Sequence, residues 1–118
     1  MDDFSISSER NARAIIVSVS GRVDSFTAVT LDSELAKLLY ENNRLVLDLK
    51  DVAYLSSAGV RAIVRALQSA QKSGGGVRLA LIPAHVVQVL ETVGMMDRLQ
   101  IYPSVDEAIA SFEFPSRT

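Results

Sequence analysis

Apolar and polar positions alternate from Arg13 to Ser20, where Ile15, Val17 and Val19 interleave with Ala14, Ile16 and Ser18, a period of two that predicts a strand. A weaker strand signal covers residues 4–8. Gly21 opens a turn, "GRVDSFTA", and Asp24 or Ser25 supplies the side-chain oxygen that caps the next helix. Ala28, Leu31, Leu35, Leu38 and Leu39 form that helix's apolar stripe, with Asp32, Glu34 and Lys37 between them; Asn42-Asn43 ends it. "RLVLDL", 44–49, is almost wholly apolar, as in a central strand covered on both faces. After a corner at Ser56-Ser57-Ala58-Gly59 the period changes. Val60, Ile63, Val64 and Leu67 recur at helical spacing, and Arg61, Arg65, Gln68 and Lys72 take the other side.

Gly74-Gly75-Gly76 closes this second helix and leads into a strand, "VRLALI", 77–82. Pro83 suits a first helical turn, where its missing N–H is not needed. Val86, Val89, Leu90 and Val93 stripe the helix it begins, and Gly94 caps the end. "QIYP" reads as a last short strand. "SVDEAIASFEF", from residue 104, reads as a capped terminal helix with Asp106 and Glu107 at its positive end. Alternating strands and helices imply an α/β fold with a mostly parallel or mixed sheet. A chain of 118 residues holds one domain, 1–118, with a core of about 4–112 and a loose tail at 115–118.

Composition narrows the function. The chain is 48% apolar and has no cysteine, which fits a reducing compartment. Its formal charge is −2 with the signs interspersed, and it carries only four Phe and three Tyr, so nucleic acid is not an expected partner. No apolar run approaches the roughly 18 residues that span a bilayer, and the first residues lack a signal-peptide pattern; the expected address is the cytoplasm, with no membrane partner. One histidine, no cysteine and no carboxylate cluster argue against a metal, and no cofactor is expected. The triglycine is followed by Val77-Arg78, not by the Gly-Lys-Ser/Thr of a P-loop.

The chemistry therefore concentrates at the corner. Ser57 precedes a helical stripe, and N-capping accounts for one hydroxyl there. Capping does not account for Ser56, Ala58 and Gly59 also being small, a run that leaves the backbone open to approach. A serine hydrolase would need Gly-x-Ser-x-Gly and a nearby base; Leu55 stands at the first glycine, and His85 lies in another helix. A hydroxyl offered to a modifying protein remains. Phosphorylation adds about −1.5 to −2 charges, which a helix N-terminus tolerates. Arg61, one turn on, leans back toward it. Two like unit charges about 5 Å apart repel by about 3 kcal/mol at an effective dielectric near 20, enough to shift a partner's affinity more than a hundredfold.

Three segments, "GRVDSFTAVTLDSEL", "LVLDLKDVAYLSSAGVRAIV" and "LETVGMMDRLQIYPSVDEAI", resemble the STAS-domain anti-sigma factor antagonists over about residues 4–112. The resemblance implies a single STAS-type domain whose mixed sheet carries helices mainly on one face. It implies a non-enzymatic cytoplasmic regulator. The unphosphorylated form would bind an anti-sigma factor with GHKL-type serine kinase activity and so free the sigma factor; phosphorylation would end that binding, and a PP2C-type phosphatase would restore it. By motif the phosphoacceptor falls on Ser57, with Ser56 as second choice because it stands where the family carries aspartate. Asp24 matches the acidic residue of the family's turn. The implied partner surface is Asp24, Ser56, Ser57, Ala58, Gly59 and Arg61. Of Met95 and Met96, one is expected in the core and the other available for adaptable contact. Two other readings stay open: a constitutive scaffold or transporter-associated STAS subunit whose serines only cap the helix, and, ranked last, a small-ligand sensor.

Overall fold

The computed structural model describes residues 3–112. The elements run β1 (Ser5–Arg10), β2 (Ile15–Val23), α1 (Thr27–Glu41), β3 (Arg44–Leu55), α2 (Ser57–Lys72), β4 (Gly76–Ala80), α3 (Ala84–Thr92), a 3-10 turn (Met96–Arg98), β5 (Gln100–Tyr102) and α4 (Val105–Ala110). The sheet order is β1-β2-β3-β4-β5. β1 runs antiparallel to β2, and the remaining pairs are parallel, so the sheet is mixed. Because the parallel strands advance in one direction, right-handed crossovers put α1, α2 and α3 on the same face.

The main core lies on that face. Ile15, Val17 and Val19 of β2, and Leu45, Leu47 and Leu49 of β3, meet Leu31 and Leu35 of α1, Ile63 and Leu67 of α2, and Val86 and Leu90 of α3. Each fully buried aliphatic side chain of this kind contributes about 1.5–3 kcal/mol relative to exposure. The intervening residues of the strands point to the other face. There a smaller cluster, Ala14, Val46 and Ala80, is covered by Ala108, Ile109 and Phe112 from α4 and the turn after it. β3 is thus buried on both faces over 45–49, as its nearly continuous apolar run predicts; the exception in that run, Asp48, is buried and paired with Lys50 Nζ at 2.9 Å.

Several boundaries differ from those read along the chain. β2 does not turn at Gly21 but runs through it to Val23. Its register against β3 slips between Ser18 and Ser20 and again between Gly21 and Arg22, and Gly21 sits at φ 83°. At each slip the extra residue belongs to β3, so the bulges lie in that strand, and β2 passes through Gly21, which still pairs with Val52. β3 continues to Leu55 because Val52 and Leu55 still bury their side chains and the extended β2 still pairs with it. β4 stops at Ala80, since Leu81 adopts φ 59°. Met95 and Met96 both pack, half-buried, against the main core. The expected tail at 115–118 and the last two residues of the terminal helix pattern lie outside the described residues.

The end of α2 shows what the triglycine does. Gly74 takes φ 81°, its N–H donates to the Gln71 carbonyl at 3.1 Å, and the Gly75 N–H donates to the Ala70 carbonyl at 2.8 Å, a Schellman closure. Gly76 N–H then reaches the Asn43 carbonyl at 2.9 Å, and the Asn43 amide donates to the Ser73 carbonyl at 2.7 Å. A Cβ on Gly75 would overlap the Asn43 carbonyl oxygen, whereas one on Gly74 meets nothing within 4 Å. Gly75→Ala is therefore expected to lower the unfolding free energy by about 2–3 kcal/mol, and Gly74→Ala by about 1–2 kcal/mol through its left-handed backbone. Urea denaturation of the two variants checks the order; equal losses would contradict the packing against Asn43.

Candidate functional site: the corner between β3 and α2

Two chain segments meet at the carboxyl end of the parallel sheet. Val23 at the end of β2 pairs with Leu55 at the end of β3. One residue further on, the Ser56 N–H donates to the Val23 carbonyl at 2.8 Å. α1 and α2 therefore begin side by side. Further along, Arg65 of α2 reaches Asp32 of α1 at 3.0 Å.

The serines divide their roles differently from the sequence reading, which gave the capping role to Ser57. Ser56 is the N-cap: its backbone is extended (φ −84°, ψ 168°), and its Oγ accepts the Gly59 N–H at 3.2 Å. Its carbonyl takes the Val60 N–H at 3.0 Å, the first bond of the helix. Ser57 is the first helical residue, exposed, and its hydroxyl has no hydrogen-bond partner among the described residues. Small-residue spacing does not distinguish adjacent serines; the extended backbone at 56 does.

Ala58 is half-buried against the main core and Gly59 is buried. A Cβ on Gly59 would lie 2.6 Å from Leu55 Cδ1 and 2.7 Å from Val23 Cγ1. Gly59 is small because α2 starts hard against the ends of both strands, an inward requirement rather than an opening to approach. Arg61 is exposed one turn on, with no ion-pair partner among the described residues.

Asp24 builds the start of α1. Its Oδ1 accepts the Phe26 N–H at 2.9 Å and the Thr27 N–H at 2.8 Å, while its carbonyl accepts the Ala28 N–H at 2.9 Å. The Thr27 hydroxyl donates to the Arg22 carbonyl at 2.7 Å and accepts the Asp24 N–H at 3.0 Å. Asp24, not Ser25, is thus the cap. The Thr27 N–H, with smaller help from the Thr27 hydroxyl, the Phe26 N–H and the Arg22 charge, holds the Asp24 carboxyl below its ordinary pKa.

Other features of the rim went unread in the sequence. The Arg22 guanidinium stacks 4.4 Å above the Tyr54 ring, and Phe26 and Val29 are 84% and 70% exposed. Positions 26 and 29 fall off the Ala28-Leu31-Leu35 stripe, which was the available signal. His85 is not joined to either serine; its Nε2–H donates to the Val52 carbonyl at 2.9 Å. Among the described residues no group of three or more His, Asp or Glu side chains is placed to hold a metal, and no helix is long and apolar enough to cross a membrane. The α1–α2 groove holds a shallow cavity of about 300 Å³ lined by Ala36, Leu39, Tyr40, Asn43, Ser69 and Ser73, at the far end of those helices from the corner.

Comparison with known proteins places this geometry. Residues 5–108 match the STAS domain family. The anti-sigma-B factor antagonist of Bacillus subtilis is 25% identical over 99 residues, 84% of this chain and 91% of its own. A Bordetella bronchiseptica protein named as an anti-sigma factor antagonist, BtrV, is 31% identical over 100 residues, 84% of this chain and 86% of its own. An anti-sigma factor antagonist structure from Mycobacterium paratuberculosis superposes with a TM-score of 0.85 at 23% identity, covering 96% of this chain and 97% of its own. The antagonist SpoIIAA superposes at 13% identity in both solved forms. The unphosphorylated form gives a TM-score of 0.79 over 96% of this chain and 100% of its own, and the phosphorylated Bacillus form gives 0.69 over 91% and 98%.

The two caps lead to separate expectations. Ser56→Ala is expected to cost about 1 kcal/mol of stability, and Ser57→Ala less than about 0.5 kcal/mol; a reversed order would return the cap to Ser57. The folded-state pKa of Asp24 is depressed. Its contribution is therefore complete above the unfolded value and lost as pH falls through the folded one. A carboxyl carbon titration by NMR should show Asp24 with a midpoint below its ordinary 3.8, and a midpoint at or above that value would contradict the cap.

Proposed function

The chain belongs to the STAS-domain anti-sigma factor antagonist family, and from that membership we propose that it is a docking protein switched by phosphorylation of Ser57. The unphosphorylated chain binds an anti-sigma factor with GHKL-type serine kinase activity, which releases the sigma factor. Phosphorylation ends the complex, and a PP2C-type phosphatase reopens it. The circuit is cytoplasmic and uses no nucleic-acid contact by this chain.

One observation carries the reading: the Ser57 hydroxyl is exposed and without a hydrogen-bond partner among the described residues, on a helix that Ser56 has already capped. Modifying it removes no hydrogen bond of the fold. In the transfer, Ser57 Oγ attacks the γ-phosphorus of ATP. The Oγ–P bond forms, the bond from phosphorus to the β,γ-bridging oxygen breaks, and ADP leaves. The hydroxyl proton passes to a base on the kinase. Hydrolysis by the phosphatase cleaves the new ester and returns the hydroxyl and inorganic phosphate.

The product charge sits where the chain tolerates it. Ser57 is at the first position of α2, near the positive end of the helix dipole, and a negative charge there is stabilising. Arg61 has no ion-pair partner among the described residues, and helical side chains lean toward the N-terminal end, so it is the side chain to hold the phosphate. A partner surface seated on the corner meets the opposite situation. It must accommodate new bulk and about two added negative charges at a contact made for a hydroxyl. SpoIIAA, which has this fold, is known in both phosphorylation states.

Incubation of the chain with a GHKL-type kinase of its source organism and ATP should label Ser57, read by mass spectrometry of the digested protein. Ser57→Ala should bind that kinase and take no label. Ser57→Asp should keep the wild-type fold by circular dichroism and bind at least a hundredfold more weakly. Label on Ser56 alone would move the acceptor and keep the switch; a complex of undiminished affinity with Ser57→Asp would instead make the chain a constitutive scaffold.

A further inference from the structure

We infer that Phe26 and Val29 are the apolar anchor by which the partner gated by Ser57 grips this chain, and that the partner meets them with an apolar cleft. The inference rests on the phosphorylation-gated docking proposed above and names the chemistry of that contact. Five large apolar side chains among the described residues are exposed. Three of them, Phe26, Val29 and Tyr54, stand at the same carboxyl end of the parallel strands as Ser57, whereas Tyr40 lies at the far end of α1 and Val93 at the far end of α3. Phe26 and Val29 are three residues apart on one helical turn and therefore project together.

Continuity fixes the occupant. The Phe26 N–H is held by Asp24, and Asp24 follows Val23, whose carbonyl takes the Ser56 N–H. A protein seated on Ser57 extends onto this turn. The charges beside these two residues are engaged within the chain: Asp24 on backbone N–H groups, Arg22 on the Tyr54 ring, Asp32 on Arg65. Arg61 of α2, which has no ion-pair partner among the described residues, stays with Ser57, so the unspent contact on the α1 turn is apolar. Exposed aromatic rings and an arginine at one end of the sheet are the composition of binding hot spots.

The test uses the full chain and the GHKL-type anti-sigma factor of its source organism. Phe26→Ala should weaken the unphosphorylated complex tenfold or more by calorimetry, and Phe26→Leu should restore most of the loss. As a kinase substrate, Phe26→Ala should show a KM raised by a similar factor at unchanged kcat. Its melting temperature should match the wild type, because a ring 84% exposed contributes little to the core. Wild-type affinity in Phe26→Ala would overturn the anchor and leave the Ser57 switch standing. Binding by the wild-type chain without phosphate transfer would end the switch, while loss of that binding in Phe26→Ala would uphold the anchor. A chain that is dimeric in solution and turned monomeric by Phe26→Ala would give the patch to a second copy and overturn the assignment. Absence of any wild-type binding would overturn both.

Discussion

The level alignment of β2 and β3 governs this molecule. Parallel strands that end at the same height launch their following helices together, and here the hydrogen bond from Ser56 N–H to the Val23 carbonyl completes that alignment. It depends on irregularities in β3. At each of the register slips, Ser18/Ser20 and Gly21/Arg22, β3 takes up one extra residue, and this brings Leu55 alongside Val23. Gly59, pressed against both strand ends, allows α2 to start without a gap. From this arrangement comes a rim on which Asp24 and Ser56 look inward to cap their own helices while Ser57, Phe26 and Arg61 look out.

That division separates stability from recognition. The interior rests on two aliphatic clusters either side of the sheet, and neither includes Ser57 or Phe26. Capping, worth about 1 kcal/mol at such positions, falls to residues other than the acceptor. A phosphate at the corner consequently adds little strain to the domain. Against a docked surface that carries a like charge the same group would bring a repulsion of about 3 kcal/mol. On the switch proposed above, the asymmetry between those two magnitudes would let one ester act on an interface and spare the fold.

Much of this was legible in the chain. Stripes such as Leu31-Leu35-Leu38 predict buried helix faces because a helix repeats every 3.6 residues, and the glycines at 74 and 94 mark helix ends because both adopt positive φ. The location of the corner follows from a change of period. Other features depend on tertiary partners and leave weaker traces. A glycine inside a strand looks like a turn until its pairing is seen, as at Gly21, which pairs with Val52. The residues 50–55 alternate irregularly, so the length of β3 emerges only from its pairing with the extended β2. Ser56 and Ser57 have the same side chain, and the backbone conformation alone decides which one caps. Gly59 reads as one of four small residues that open the surface, yet it closes a contact with Val23 and Leu55.

The claim at the centre is that phosphate on Ser57 changes association and leaves folding alone. The most direct measurement takes one preparation of the chain, phosphorylated stoichiometrically on Ser57, and determines both its unfolding free energy and its affinity for the anti-sigma factor beside those of the unmodified chain. The account predicts unfolding free energies within about 1 kcal/mol of each other and an affinity reduced at least a hundredfold. A phosphorylated chain that is substantially unfolded, or one that binds as tightly as before, would contradict it.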